Sequence, residues 1–329
     1  MTSSGRKSGR PAGSAQLSTA QLPTAQLSTA QLSTAQRRRK VPLGLRLAPY
    51  LFVLPNMVIF GLFTIWPAIN GFNISLYSSG NGRTFDWVGL GNYQRILTDD
   101  QFWGVVRNTV VFALAFVVLC VVIATALAVL LQAQVRGKAF FRAVFFLPVL
   151  LSPVVVGLVW NWILERRGGL LNTFLSPFGG GEVGWLIDSE LVLACVIAVG
   201  VWMNVGFYIL ILLAGLQGID PSLYEAARMD GATAWQQFRS ITAPLLQPSL
   251  LVVLVLSTIH GFQAFDFIYT LTGGGPVGAT TLIVQYIYER GFVSPIRYGF
   301  ASAGSVLLFV TVFALTLVNW FVGRRREAV

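Results

Sequence analysis

The chain has 329 residues, of which 55% are hydrophobic and only 11% are charged, and its formal net charge is +10. A soluble domain has about 25% charged residues, so this composition excludes a water-soluble globule and indicates an integral membrane protein. The basic residues lie in short clusters at the ends of apolar runs and form no continuous face, which argues against a nucleic-acid-binding protein.

Nothing in the sequence predicts catalysis, a metal site or a bound nucleotide. The single histidine, His260, excludes a multi-histidine metal site, and Cys120 and Cys195 lie inside apolar runs, as small buried residues do. The pair Gly137-Lys138 lacks the upstream glycine and the following Ser or Thr of a Walker A loop. We therefore expect no catalytic residue, no metal and no ATP bound by this chain itself.

The amino-terminal region, residues 1–40, differs in composition from the rest. A five-residue unit repeats through "AQLSTAQLPTAQLSTAQLSTAQ" without an aromatic residue, and the basic run "RRRK" follows it. Such a composition predicts a disordered tail. We assign residues 41–103 to a first transmembrane helix and an outer loop, residues 104–323 to a core of five further transmembrane helices, and residues 324–329 to a basic carboxyl-terminal tail.

Six apolar segments are long enough to span a bilayer, which takes about 20 residues each. They cover approximately residues 47–76, 103–131, 143–164, 191–216, 250–271 and 300–322. Most of the 23 basic residues fall on one side of these segments if both termini are cytoplasmic. The sequence therefore predicts an all-α integral membrane protein with six transmembrane helices and with cytoplasmic N- and C-termini.

The connection between the fourth and fifth helices contains "LYEAARMDGATAWQQFRSITAP", which is polar and patterned. Asp220 and Pro221 predict a helix start, and Gly231 predicts a left-handed helix end. Thr233 predicts the cap of a second helix that runs to about Thr242, and Pro244 and Pro248 are expected to stop it and to start the next span. Two interpretations stay open on the residues: an anchor in the lipid headgroup region, or a docking element for a cytoplasmic partner.

The same connection resembles the EAA loop of membrane subunits in binding-protein-dependent ABC importers. The matching positions are Glu225, Ala226, Ala227, Asp230, Gly231, Ala232, Phe238, Ile241, Pro244 and Pro248. "GLGNY", "FFRAVFFLPVLLSPVVVGLVWNWIL" and "LTGGGP" are similar to the maltose-type and glycerol-3-phosphate-type first permease subunit. The resemblance implies the type I ABC importer membrane-domain fold, with residues 220–248 as the coupling loop. It also implies ATPase-coupling roles for Glu225, Ala226, Ala227, Asp230, Gly231, Ala232 and Phe238.

The resemblance further implies a system of several polypeptides in the inner (plasma) membrane of a bacterial cell. The expected partners are a second homologous permease subunit, a dimer of ATP-binding subunits and an extracytoplasmic solute-binding protein, besides membrane lipid. ATP and Mg are expected on the ATPase dimer, so that this chain is a transport subunit without a cofactor and is not an enzyme. No nucleic acid is expected.

Polar groups inside the fourth and fifth helices indicate a substrate path, because unpaired polar groups are costly in lipid. On the fifth helix, Ser257, His260, Gln263 and Asp266 recur every three residues and predict one stripe, and on the fourth helix Asn204 lies close to Phe207 and Tyr208. Polar groups beside aromatic rings suit a sugar, and hydrogen bonding between helices is the alternative. Asp266 lies closer to the outer end and is interpreted as structural.

The resemblance narrows the candidate substrate site. In the maltose-type subunit the sugar lies against the two corresponding helices, and the contacting positions fall on Asn204, Phe207, Ser257, His260, Gly261, Gln263 and Ala264. With Tyr208, these are the substrate-binding candidates. A di- or oligosaccharide is the expected substrate. Glycerol-3-phosphate or a glycerophosphodiester is the alternative, and an ion-coupled secondary transporter is a more distant one.

Overall fold

The computed structural model describes residues 43–79, 81–132 and 137–327. The predicted tail, residues 1–40, lies outside the described residues. The chain divides into two units, Met1–Val58 and Ile59–Val329, and all packing described below lies within the second. The assignments of the tail, of the outer loop region and of the cytoplasmic termini stay predictions.

Helices make up most of the described chain. In order, the elements are α1 (Leu43–Phe60), a π-helix (Gly61–Ile65), α2 (Trp66–Ile74), β1 (Tyr77–Ser78), β2 (Asp86–Trp87), α3 (Gly91–Leu97), α4 (Asp100–Gln132), α5 (Lys138–Phe146), a 3-10 helix (Leu147–Leu150), α6 (Pro153–Ile163), α7 (Leu170–Leu175), a 3-10 helix (Ser176–Phe178), α8 (Val192–Gln217), α9 (Pro221–Met229), α10 (Ala234–Gln237), a π-helix (Phe238–Thr242), α11 (Ala243–Leu245), α12 (Gln247–Phe262), α13 (Asp266–Leu271), α14 (Ile283–Phe292) and α15 (Tyr298–Glu327). β1 and β2 pair antiparallel as a short hairpin.

Among the described residues, four helices are long and apolar enough to cross a membrane: Tyr50–Ile74, Asp100–Gln132, Val192–Gln217 and Tyr298–Phe321. Two bent pairs also qualify, Lys138–Leu150 with Pro153–Ile163 at 100° and Ala234–Leu245 with Gln247–Phe262 at 70°. If each pair is one span, the total is six. The predicted all-α membrane fold is thereby confirmed, with four helices that qualify singly and two bent pairs among the described residues.

α8 is the central helix of the bundle. It is apolar on all sides, and 67% of the residues in its most apolar 18-residue stretch are buried. This is expected of a helix surrounded by other helices. α4 packs along it through residues four apart, so that Phe112, Phe116, Cys120, Ala124 and Ala128 form one buried stripe. This pair is the core against which the other spans pack.

The third and fifth predicted spans are not single straight helices. The third bends at Ser152, which takes an extended conformation (φ −62°, ψ 129°) before Pro153, because proline disfavours the helical region for the residue before it. The fifth ends at Phe262 and resumes at Asp266. The prediction of one helix through residue 271, with a continuous polar stripe, is therefore wrong beyond Phe262.

α13, which follows the break in the fifth span, packs closely on α6. A Cβ added at Gly157 would collide with the Thr270 hydroxyl and would lie 2.5 Å from the Phe267 carbonyl oxygen. Asn161 Nδ2 donates to the Leu271 carbonyl at 2.7 Å. These contacts hold α13 against α6, and a straight continuation of α12 is replaced by three non-helical residues.

Candidate functional site

A cavity of about 210 Å³ opens at the break between α12 and α13. It is lined by Phe116, Pro153, Met203, Asn204, His260, Gln263, Ala264, Phe265, Asp266 and Phe267. Four of the eight substrate-binding candidates, Asn204, His260, Gln263 and Ala264, therefore meet in one place. Asn204 comes from α8, His260 from the end of α12, and Gln263 and Ala264 from the break that follows α12. The polar pattern predicted Asn204, His260 and Gln263, whereas Ala264 was implied by the family resemblance alone.

Several hydrogen-bonding groups at the cavity have no partner within the described residues. Asn204 Nδ2 donates to the Gly200 carbonyl at 2.9 Å, and its amide oxygen accepts no hydrogen bond within the described residues. Gln263 is exposed and its side-chain amide makes no hydrogen bond there either. The main-chain N–H of Ala264 and the carbonyls of Gln263 and Ala264 are likewise unpaired in the described part of the chain. Such non-helical backbone is tolerated at membrane depth where it lines a cavity.

Tyr208 supports His260 from behind. The Tyr208 hydroxyl and His260 Nδ1 lie 2.9 Å apart, and Tyr208 is fully buried. Tyr208 also contacts the ring of Phe207 edge-on, with centroids 5.8 Å apart. Tyr208 and Phe207 do not line the cavity, so the structure places them behind the lining.

Ser257 and Gly261 lie between helices. Ser257 is fully buried and donates to the Leu254 carbonyl of its own helix at 3.2 Å. A Cβ added at Gly261 would meet Ala113 Cα at 3.2 Å and Phe116 Cδ1 at 3.4 Å, so this glycine permits close packing of α12 on α4. Neither residue lines the cavity. The bond of Ser257 stays within its own helix and does not join two helices, and Gly261 serves the packing of α12 on α4.

Asp266 is the cavity residue to which sequence reasoning gave a structural role. It is exposed and lines the cavity beside Gln263 and Phe265. The available signal was its place in the three-residue spacing with His260 and Gln263. An unbroken fifth helix would place Asp266 about one turn beyond Gln263, closer to the outer end of the span, and a structural role was predicted for that reason.

The predicted coupling loop forms two short helices joined at a tight turn. Asp220 caps α9 by accepting a hydrogen bond from the Ser222 N–H at 2.9 Å, and this bond lowers the pKa of the carboxyl. Gly231 has φ +76°, which is the left-handed conformation expected at a helix end. Thr233 and Gln236 form a reciprocal capping box at the start of α10. The predicted caps at Asp220, Gly231 and Thr233 are confirmed.

The second helix of the loop ends at Leu245, one residue past Pro244, and α12 begins at Gln247 with Pro248 in its first turn. The loop helix passes through the π-helix Phe238–Thr242 into Ala243–Leu245, and the 70° bend follows. In the π-helix the Ala243 N–H bonds to the Phe238 carbonyl, five residues back, so the missing N–H of Pro244 falls where the α-helical pattern is already shifted. The predicted boundary between this helix and the next span is therefore met to within a few residues, and the π-helix was not predicted.

The coupling candidates lie on the outside of this loop. Glu225, Ala226, Asp230 and Gly231 are exposed, and Ala227, Ala232 and Phe238 are half-buried. Sequence reasoning missed Met229, which is 88% exposed beside the turn. The Tyr224 hydroxyl lies 2.9 Å from Thr242 Oγ1, so α9 is fastened to the π-helix. The loop therefore presents Glu225, Met229 and Asp230 on an exposed surface, together with the exposed Arg228.

A second hydrogen-bonded cluster joins α14 to the start of α4. The Tyr286 hydroxyl donates to Asp99 Oδ2 at 2.7 Å, and Arg290 donates to Gln101 Oε1 at 2.7 Å. Burial, together with the hydrogen bond to Asp99, raises the pKa of Tyr286 to about 12. Gln285 Nε2 donates to the Gly273 carbonyl at 2.9 Å, so the "LTGGGP" segment is tied to α14. This cluster holds the loops beyond α13 in place.

Comparison with known proteins agrees with this geometry. Residues 121–327 match the family model described as a binding-protein-dependent transport system inner membrane component. The trehalose/maltose transport system permease protein of Thermococcus litoralis is 38% identical over 285 residues, which are 84% of this chain and 94% of that protein. The sn-glycerol-3-phosphate transport system permease protein of Agrobacterium fabrum is 33% identical over 285 residues, 85% of this chain and 96% of that protein.

A solved structure shares the fold. It is a bacterial alginate ABC transporter in complex with an alginate pentasaccharide-bound periplasmic protein, and one of its chains superimposes with a TM-score of 0.75 at 25% identity. The superposition covers 86% of this chain and 97% of that chain.

Proposed function

The chain belongs to the family of binding-protein-dependent transport system inner membrane components, and from that premise we propose that it forms half of the translocation pathway for neutral di- or oligosaccharides. Its relatives are named as transport permease proteins, so it is a multi-pass transport subunit of the inner membrane and not an enzyme. A solute-binding protein and a permease partner belong to such a system in general.

The observation that carries the substrate proposal is the chemistry of the cavity at the helix break. Its lining combines hydrogen-bonding groups of Asn204, His260 and Gln263 with the rings of Phe116 and Phe265. Saccharide hydroxyls both donate and accept, and the C–H face of a pyranose packs on aromatic rings. A phosphate would be bound best by Arg or Lys, and neither lines the cavity.

The energy for transport comes from a partner protein that hydrolyses ATP. We assign ATP and Mg to a dimer of ATPase subunits, which docks on the coupling loop through Glu225, Gly231 and their neighbours. Closure of that dimer moves the loop, and because α12 follows the loop directly, the movement reaches His260 and the helix break. The substrate is thereby released on the cytoplasmic side by alternating access.

The test of this proposal uses the whole importer. The chain, a second permease, the ATPase and the solute-binding protein of the same system are reconstituted in proteoliposomes, and ATP-dependent uptake of trehalose, maltose, lactose and sn-glycerol-3-phosphate is compared. We expect uptake of at least one disaccharide, dependent on both ATP and the solute-binding protein. Uptake of sn-glycerol-3-phosphate alone would contradict the proposal and favour the glycerol-phosphate alternative. Uptake driven by an ion gradient without ATP would overturn both.

A further inference from the structure

Asp266 is the acidic residue of the cavity at the helix break. It is the first residue of α13, it is exposed, and it lines the cavity with Asn204, His260 and Gln263. Its carboxylate makes no hydrogen bond and no ion pair with any described residue. An unpaired charge at the side of a translocation pathway needs an explanation.

Stabilisation of α13 by an acidic first residue explains little of why Asp266 lies at the cavity. An acid in the first turn of a helix favours its positive N-terminal end, but the effect is small at an exposed position and is confined to that turn. α13 has only six residues, and no side chain caps it. Asp100, which is the first residue of the 33-residue helix α4, occupies the same position in its helix and is exposed without lining this cavity. Asp100 is therefore the matched comparison for a purely helix-stabilising acid.

The charge balance of the cavity points to a ligand class. Asp266 brings a negative charge, and no Lys or Arg lines the cavity to compensate for it. His260, the other ionisable lining residue, is engaged at Nδ1 with Tyr208. A carboxylate with two free oxygens accepts hydrogen bonds from two adjacent hydroxyls, whereas an anionic substrate would be repelled at the same place.

We propose that Asp266 is a specificity-determining residue of the substrate site, where its carboxylate binds two neighbouring hydroxyls of a neutral saccharide and excludes substrates that carry a phosphate or carboxylate. The free amide oxygen of Asn204 and the amide of Gln263 bind further hydroxyls on the other sides of the cavity. This inference rests on the proposed function, because it concerns the same site, and it assigns the selectivity to one residue.

The first experiment measures uptake by the complete importer with its own solute-binding protein. Radiolabelled trehalose, maltose and lactose are the probes, and Asp266→Asn, Asp266→Glu and the control Asp100→Asn are compared with wild type. We expect Asp266→Asn to lower disaccharide uptake about tenfold, because a polar site binds its substrate much more weakly when one hydrogen-bond partner of the substrate hydroxyls is lost. Asp266→Glu should restore part of the uptake, and Asp100→Asn should match wild type. Uptake by Asp266→Asn equal to wild type would overturn the inference.

The second experiment tests charge exclusion without the solute-binding protein. Trehalose and trehalose 6-phosphate, which differ only by the phosphate, are titrated against the nucleotide-free complex in nanodiscs. The wild-type complex should bind trehalose more tightly than trehalose 6-phosphate, and Asp266→Asn should reduce the difference between the two affinities. Equal affinity of wild type for the two probes, or an unchanged preference in Asp266→Asn, would count against the role of Asp266. Absence of wild-type uptake for all three disaccharides would instead contradict the proposed function itself.

Discussion

The Tyr208 hydroxyl lies 2.9 Å from Nδ1 of His260 and joins the buried helix α8 to the last turn of α12 beside the cavity. A hydroxyl that donates to Nδ1 leaves the proton of the neutral imidazole on Nε2. In that tautomer the Nε2–H of His260 is the group left to donate to a substrate oxygen. We therefore expect Tyr208 to act through His260 as a positioning residue.

Tyr208→Phe should weaken substrate handling while the chain still folds. The change removes one buried hydrogen bond, worth about 1 kcal/mol, and leaves the His260 ring free to rotate. We expect disaccharide uptake by the reconstituted importer to fall about fivefold, which corresponds to that energy. Tyr269→Phe is the matched control, because Tyr269 is 41% exposed and does not line the cavity. Equal loss in both variants would contradict a specific role for Tyr208.

Gly231→Pro should uncouple ATP hydrolysis from transport. Proline fixes φ near −65°, whereas Gly231 has φ +76°, so the turn between α9 and α10 cannot form as observed. We expect uptake and substrate-stimulated ATPase activity to be lost while the chain remains inserted in the membrane. Gly231→Ala should reduce both by less, since an alanine at positive φ costs about 1–2 kcal/mol. Gly218→Ala, at φ −80°, serves as the control and should retain coupling.

Glu225→Lys should impair docking of the ATPase by reversing an exposed charge on α9. Glu225 makes no ion pair within the described residues, so its substitution leaves no internal partner unpaired. We expect the variant to co-purify less ATPase subunit and to lose most substrate-stimulated hydrolysis. Glu190→Lys, an equally exposed reversal just before α8, tests for a general effect of charge. Normal coupling in Glu225→Lys would refute this surface as the docking element.

Gly157→Ala should destabilise the helix pair that creates the cavity. The added methyl group would collide with the Thr270 hydroxyl and with the Phe267 carbonyl. Overpacking of this kind costs about 1–3 kcal/mol, so thermal unfolding of the solubilised protein should shift to lower temperature. Gly104→Ala on α4 has no neighbour within 4 Å of the added Cβ and should leave the midpoint in place. An unchanged midpoint for Gly157→Ala would show that α13 does not need this close approach.

Tyr286 should make the packing of α14 sensitive to alkaline pH. Its pKa is raised from 10.0 to about 12 by burial and by the hydrogen bond to Asp99. The folded protein therefore holds this proton more tightly than the unfolded chain does. The resulting stabilisation is fully present below about pH 10 and is lost as the pH rises through about 12.

Hydrogen exchange of α14 amides measures this effect. In wild type the α14 amides should exchange increasingly fast between pH 10 and 12, after correction for the intrinsic exchange rate. Tyr286→Phe should remove the pH-dependent component, because phenylalanine has no proton to lose. The same alkaline dependence in both proteins would show that another group is responsible.

Much of the candidate site was predictable because its signals are local. Asp220, Gly231 and Thr233 act within one helical turn, so their capping roles follow from residue type and spacing. Asn204, His260 and Gln263 were identified because polar residues are rare and costly inside apolar helices. The π-helix Phe238–Thr242 was not predicted, because no local sequence rule describes it.

The sequence by itself determined the class of the protein, the approximate positions of its spans and the form of the coupling loop, since hydropathy and caps depend on neighbouring residues only. The tertiary structure decided which polar residues face the cavity. The fifth span breaks after Phe262, α13 packs on α6 at Gly157, and Asp266 and Gln263 line one cavity. Packing of α12 on α4 covers Gly261, and Ser257 is buried. These outcomes depend on residues far apart in the chain, whose approach is set by the shape of the whole helix bundle.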